Sequence, residues 1–150
     1  MSTSKLVRRE DPRLLSGQGR YVGDHHFPNM AFAVVVRSPH AHAHARVNGI
    51  DTAAAKAAPG VLAVITAQDL AGAGLPDLPC PVELPRSTGE KAFPAQRPVL
   101  ARDVVRYVGD AVAMVVAETL AQARDAADLV AVDYDPLPAV VGAATAVAPG

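Results

Sequence analysis

AVAMVVAETLAQARDAADLVAVDYDP, residues 111–136, decides the fold class. Its first seven residues, Ala111–Ala117, form an unbroken apolar run rich in valine, the pattern of a strand buried on both faces. Thr119 and Gln122 then form a T-x-x-Q capping box. Leu120, Ala123, Ala127 and Val130 follow at helical spacing, so residues 119–129 predict a helix with one apolar face. Residues 130–135 (VAVDYD) return to strand chemistry and stop at Pro136. Strand, capped helix and strand so close together predict a mixed α/β domain whose helices are tied closely to its strands.

Working backwards, residues 99–101 and 104–108 predict two short strands around Arg102-Asp103. Before them, residues 71–98 carry Gly72, Gly74, Pro76, Pro79, Pro81, Pro85, Gly89, Pro94 and Pro98. No helical or alternating period survives that punctuation, and a loop so long is functional or disordered in most compact domains. Earlier still, residues 30–37 (MAFAVVVR) predict a buried strand between Pro28 and Ser38-Pro39. Residues 44–50 predict a second, bulged at Asn48-Gly49. Residues 51–58 (DTAAAKAA) open on an N-cap residue and end at Pro59-Gly60, a short helix. Residues 61–66 (VLAVIT) are a third strand, and the capping box Thr66-Ala67-Gln68-Asp69 opens one helical turn. The expected fold class is α+β (mixed α/β) in the order β-β-α-β-loop-β-β-β-α-β. The expected organisation is a lead segment at 1–29, a domain at 30–141 containing the loop 71–98, and a linker-like tail at 142–150.

The chain's 150 residues suit one domain. Half of them are hydrophobic but only 4% aromatic, so the core must be built from Ala, Val, Leu and Ile. A net charge of −1 offers no pull toward nucleic acid or an anionic membrane. Cys80 is the sole cysteine, which excludes an internal disulfide, a Cys-ligated iron–sulfur cluster and a Cys-rich zinc site and suits a cytoplasmic setting. Residues 1–19 have basic side chains but no apolar stretch of the secretory kind, and no run is long enough to span a bilayer. Gly17, Gly19 and Gly23 do not have dinucleotide-binding spacing and follow no strand.

Three constellations are candidates for chemistry. His40, His42 and His44 alternate, and on a strand they would share one face about 6.6 Å apart per step; two could share a zinc ion, while a third would not reach. Asp133 and Asp135 would share a strand face opposite Tyr134, as paired carboxylates for acid–base work. Asp24 beside His25-His26 resembles a base with its orienting carboxylate. Each has a plain structural alternative: an exposed strand end, a solvated strand terminus and a loop. Cys80, between Pro79 and Pro81, has no basic neighbour to activate it.

Five segments in order resemble the N-terminal α/β-hammerhead domain of molybdenum-hydroxylase large subunits (aldehyde oxidase, xanthine dehydrogenase, aerobic carbon monoxide dehydrogenase). They are Arg8-Arg9-Glu10-Asp11-Pro12-Arg13-Leu14-Leu15-Ser16-Gly17 with Gly19-Arg20-Tyr21-Val22 and Asp24; Arg37-Ser38-Pro39-His40-Ala41-His42-Ala43; Ile50-Asp51-Thr52 leading to Pro59-Gly60-Val61; Arg106-Tyr107-Val108-Gly109 with Val112-Ala113 and Val115-Val116-Ala117-Glu118-Thr119; and Val132-Asp133-Tyr134-Asp135-Pro136-Leu137-Pro138. Two departures stand out. The chain has an extra His-Ala pair after Ser38-Pro39, which preserves strand parity. It also has Ala111 where the family has Pro.

The resemblance implies a structural role in a molybdopterin-dependent oxidoreductase. The domain would pack on downstream molybdopterin-binding domains, help wall the substrate channel, and belong to an assembly with iron–sulfur and flavin subunits or domains. In that family the part of the domain corresponding to the loop 71–98 lies near the route to the active site, so Leu75, Leu84 and Phe93 could line it; the alternative is a proline-stiffened surface loop packed on a neighbouring domain. It implies no catalytic, cofactor-binding or metal residue in this chain, because the catalytic glutamate and the cofactor contacts of that family lie beyond its hammerhead domain. The chain alone is therefore expected to be inactive. The alternative is a stand-alone small subunit or adaptor acting by protein association.

Overall fold

The computed structural model describes residues 8–79, 85, 88–91 and 97–146; side chains of residues 43–48 are outside the description. The chain divides into two compact units, Met1–Met30 and Ala31–Gly150.

In the first unit, helix α1 (Asp11–Leu15) starts with proline in its first turn and ends at Gly17, whose φ of 71° releases the chain from the helix. The Ser16 hydroxyl donates to the Pro12 carbonyl at 2.6 Å. A 3-10 turn follows at Val22–Asp24, held by the Tyr21 N–H donating to the Asp24 carboxylate at 2.9 Å. The lead segment therefore has local structure that its composition did not announce.

The second unit is built on two three-stranded antiparallel sheets, ordered β1-β5-β3 and β4-β2-β6. The strands are β1 (Phe32–Arg37), β2 (Ala43–Asp51), β3 (Val61–Thr66), β4 (Val104–Val105), β5 (Ala111–Ala117) and β6 (Ala131–Pro136). The opening stretch is the centre of the fold. Strand β5 lies between β1 and β3, with Val115 opposite both Val34 and Val64. Val112, Ala113, Val115 and Ala117 are buried, as a doubly covered strand requires. The main core joins Ala55, Val64, Ala113, Val115, Ala126 and Val130; a second cluster joins Ala101, Val105 and Val112. Strand β2 has the irregular register expected near Asn48-Gly49, between Ala45 and Ile50.

Helix α4 (Leu120–Asp128) is capped by Thr119, whose hydroxyl oxygen accepts from the Gln122 N–H at 3.2 Å while donating to Gln122 Oε1 at 2.8 Å. Its buried face agrees with the predicted one at Ala123 and Val130, which are buried, and at Ala127, which packs against the core; it departs at Ala126, also buried, and at Leu120, which is 39% exposed. In α2 (Ala53–Ala57) the capping acceptor is Asp51, still on β2, which takes the Ala53 N–H at 2.9 Å. At Gly60 (φ 74°) the carbonyl accepts from the Glu118 N–H, and a Cβ would collide with the Gln122 side chain.

Three other sequence expectations need correction. Residues 99–101 are not a strand: Ala101 makes one bond, its N–H to the Ala111 carbonyl at 2.7 Å, beside no ladder. The strand expected at 104–108 stops after Val105, because the Asp110 carboxylate takes the Arg106 N–H and turns the chain. The tail expected to be linker-like contains a short helix, α5 (Ala143–Ala146).

Helix α3 (Ala67–Gly72) runs two residues into the predicted loop. The Asp69 carboxylate accepts from both the N–H and the hydroxyl of Thr66 at 2.7 Å. These bonds, the hydroxyl's first, hold its pKa below the ordinary 3.8. A depressed folded-state pKa contributes stability that is present above 3.8 and lost as pH falls through the folded value. Asp69 is exposed, so screening keeps the effect small. The melting temperature of Asp69→Ala should lie slightly below wild type at neutral pH, and the gap should close in acid. A gap that widens in acid would contradict the capping account.

Candidate functional site

Three of the segments that carry the family resemblance meet at one end of the second unit. Ser38, 2% exposed, is the knot. Its N–H donates to the Asp110 carbonyl at 2.9 Å, and its carbonyl accepts from the Gly109 N–H at 2.8 Å. Its Oγ accepts from the His40 N–H at 3.0 Å, a serine turn that bends the chain out of β1. Arg37 donates from its guanidinium to the Gly109 carbonyl at 2.8 Å. Gly109 (φ 91°) supplies the backbone conformation that brings this turn against Ser38.

Strand β6 closes the corner. The His40 and Tyr134 rings lie 4.8 Å apart at 52°, and the Leu137 N–H donates to the His42 carbonyl at 3.0 Å. Ala41, His42, Arg106, Tyr107, Val108, Pro138, Ala139, Val140 and Val141 line an open groove beside it. Tyr107, Val108, Val140 and Val141 are all exposed there. Burial holds the Tyr134 phenol above its ordinary pKa of 10.0; the Asp110 charge acts in the same direction, and a hydrogen bond with Ser38 opposes them. An ultraviolet titration should therefore find a tyrosine ionising above pH 10, and Ser38→Ala should move it higher still. For a raised acid pKa, folded-state stability is complete below 10.0 and declines as pH rises from there through the folded value. Ionisation of this ring below pH 10 would contradict the packing described.

The structure places the three histidines as a strand beginning near His44 requires, with His40 and His42 ahead of it. Only His44 lies on a strand, its backbone opposite Asp135 and Val104; its side chain is outside the description. His40 and His42 precede β2 and have different partners, Tyr134 for the first and, for the second, the Pro138 carbonyl 3.3 Å from Nδ1. The Ser38 turn is the reason, since it delays the strand to Ala43. Among the described residues no three His, Cys, Asp or Glu side chains stand close enough to hold a metal ion.

The other candidates are dispersed. Asp24 accepts from the Tyr21 N–H, and His25 stacks on Phe27 with ring centroids 6.3 Å apart, so the carboxylate does not orient the imidazole. His26 is exposed beside them. Asp133 and Asp135 are exposed on β6, on either side of half-buried Tyr134. Leu75 lines a small cleft with Ala67, Leu70, Pro76, Val99 and Leu100, at whose edge Arg102 forms an ion pair with Asp77. Cys80, Leu84 and Phe93 lie outside the described residues.

Residues 16–138 match the family model described as "Aldehyde oxidase and xanthine dehydrogenase, a/b hammerhead domain". The chain belongs to that hammerhead family. The hammerhead chain is 42% identical over 137 residues to the nicotine 6-hydroxylase large subunit of Paenarthrobacter nicotinovorans, covering 91% of this chain and 16% of that one. It superposes on quinoline 2-oxidoreductase of Pseudomonas putida 86 with a TM-score of 0.78 and 39% identity, over 95% of this chain and 17% of that one. Against a Cu,Mo-CO dehydrogenase in its carbon monoxide reduced state the TM-score is 0.79 with 42% identity, over 95% and 16%. The hammerhead chain thus spans about a sixth of the length of these relatives. No helix among its described residues is long and apolar enough to cross a membrane.

In the sequence Ser38-Pro39 marks only the end of a strand and part of a motif, although serine before proline with a free N–H two residues on is also a turn signal. The burial of Ser38 depends on Gly109 and Asp110, more than seventy residues away, and no local pattern announces that.

Proposed function

We propose that this hammerhead domain is the N-terminal structural part of a cytoplasmic, molybdopterin-dependent oxidoreductase large subunit. It packs on the cofactor-binding domains, helps wall the substrate channel, and is not catalytic alone. Iron–sulfur and flavin subunits or domains complete the electron path of the assembly. The observation that carries the reading is a contrast. Inside, every buried side-chain polar atom among the described residues has a hydrogen bond, as in an interior built for packing. Outside, Leu62, Leu75, Leu78, Val99, Tyr107, Val108, Val140 and Val141 stay exposed on a domain whose own core, Leu100 apart, is Ala and Val. Exposed apolar surface of that kind marks contact with other protein. No chemical step is assigned to this chain's residues.

Elemental analysis tests the reading. The native polypeptide that carries this domain should hold one molybdenum per chain, and the 150-residue piece none. Stoichiometric molybdenum on the piece alone would overturn the structural role. Its absence from the native polypeptide would overturn the enzyme class.

A further inference from the structure

Within the first unit, no described residue is buried, yet the unit is not featureless. Leu15, Tyr21, Val22 and Phe27 are 68–92% exposed within thirteen residues. Around them stand Arg8, Arg9, Arg13 and Arg20, all exposed. None of these four guanidinium groups has a hydrogen bond or ion pair among the described residues. Glu10, Asp11 and Asp24 lie in the same stretch, so four arginines are set against three carboxylates and the arm has a small positive excess, with Asp24 also accepting from the Tyr21 N–H. The surface therefore offers four apolar side chains and unpaired positive charge.

Its backbone is nevertheless set by local bonds. Gln18 N–H donates to the Arg13 carbonyl at 2.9 Å, Asp24 N–H to the Tyr21 carbonyl at 2.9 Å, and Met30 N–H to the Phe27 carbonyl at 3.2 Å. Leu14 packs so closely over Gly19 that a Cβ there would fall 2.8 Å from Leu14 Cδ2. An arm already shaped in this way loses little entropy on docking.

We propose that residues 8–27 are a docking arm that seats Leu15, Tyr21, Val22 and Phe27 in an apolar pocket rimmed by carboxylates, on the part of the same polypeptide that lies outside these 150 residues. This rests on the large-subunit reading above. The occupant follows from two observations. Charge complementarity asks for acidic groups around an apolar centre. The relatives hold about five-sixths of their length outside the matched region, so most of the surface available for docking belongs to the same chain. A lipid surface fits less well. The arm's only α-helix is five residues long, and the irregular backbone around it would bring unpaired peptide groups to the acyl boundary.

The test replaces Tyr21 with the photo-crosslinker p-benzoylphenylalanine in the native full-length polypeptide, assembled with its subunits. The expected crosslinks fall on Asp- and Glu-rich segments of the same polypeptide beyond residue 150. Combining Arg13→Glu with Arg20→Glu should cut their yield at least tenfold while leaving the melting transition of the strand-built unit in place. Crosslinks confined to a separate subunit, crosslinks to lipid, no crosslinks, or a yield indifferent to charge reversal would each overturn the arm. Molybdenum content of the same sample reports on the enzyme reading separately, so failure of one is distinguishable from failure of the other.

Discussion

Val115→Asp should abolish the cooperative unfolding transition of the domain, or lower its melting temperature by roughly 10 °C or more. Val115 is fully buried at the centre of β5, between Val34 of β1 and Val64 of β3. Around it pack Ala55, Ala113, Ala126 and Val130, none of which can donate a side-chain hydrogen bond. A carboxylate there is desolvated with no partner, or takes up a proton to escape its charge. Either route costs several kcal/mol. A domain of this size has only about 5–15 kcal/mol of stability in all. Leu62→Asp is the matched control, on the neighbouring strand but 58% exposed; there the charge stays in water and the change should be within about 0.5 kcal/mol. Equal effects at the two positions would mean that β5 is not the central strand.

Gly109→Val carries the second large effect, from backbone conformation and not from crowding. A Cβ at Gly109 would meet nothing within 4 Å, so space is not the issue. Its φ of 91° is, because a β-branched residue held there is strained by about 1–3 kcal/mol. Relaxing that strain would move the Gly109 N–H away from the Ser38 carbonyl and its carbonyl away from Arg37. The knot, the Tyr134 environment and the groove should loosen together. Circular dichroism should show a lower melting temperature, and the Tyr134 phenol should titrate closer to its ordinary 10.0. Gly72→Ala is the contrast: nothing lies within 4 Å there either, and its φ is not positive. That change should be neutral or slightly stabilising. If Gly109→Val behaves in the same way, the turn is not what holds the corner.

The sequence was most legible where structure is made locally. The box at Thr66/Asp69, the Thr119 cap on Gln122, the stop at Pro59-Gly60 and the bulge near Asn48-Gly49 each depend on residues within a few positions of one another, and each appears in the fold, although the Gln122 side chain bonds the Thr119 hydroxyl and not its N–H. Burial of Ala111–Ala117 was legible because an unbroken apolar run leaves no face for water. The misses have distant causes. Asp110 ends β4 by taking the Arg106 N–H, although 104–108 alone has strand chemistry. Helix α4 meets its sheet through Ala126, not Leu120, because sheet contacts decide which edge of the apolar face is covered. The Ser38 turn keeps His40 and His42 ahead of the strand, and the burial of Ser38 against Gly109 and Asp110 has no local mark in the sequence. Pairing of six strands into two sheets had no signal at all in one sequence, since antiparallel partners are chosen across the chain.

The most direct test of the central claim, that this hammerhead domain serves as the structural part of a much larger oxidoreductase subunit, is the intact mass of the native polypeptide that contains it. Relatives matched over 16–17% of their length predict a single polypeptide about six times the 15.5 kDa of this chain. A native polypeptide of 15.5 kDa would contradict the account and leave protein association as the domain's own work.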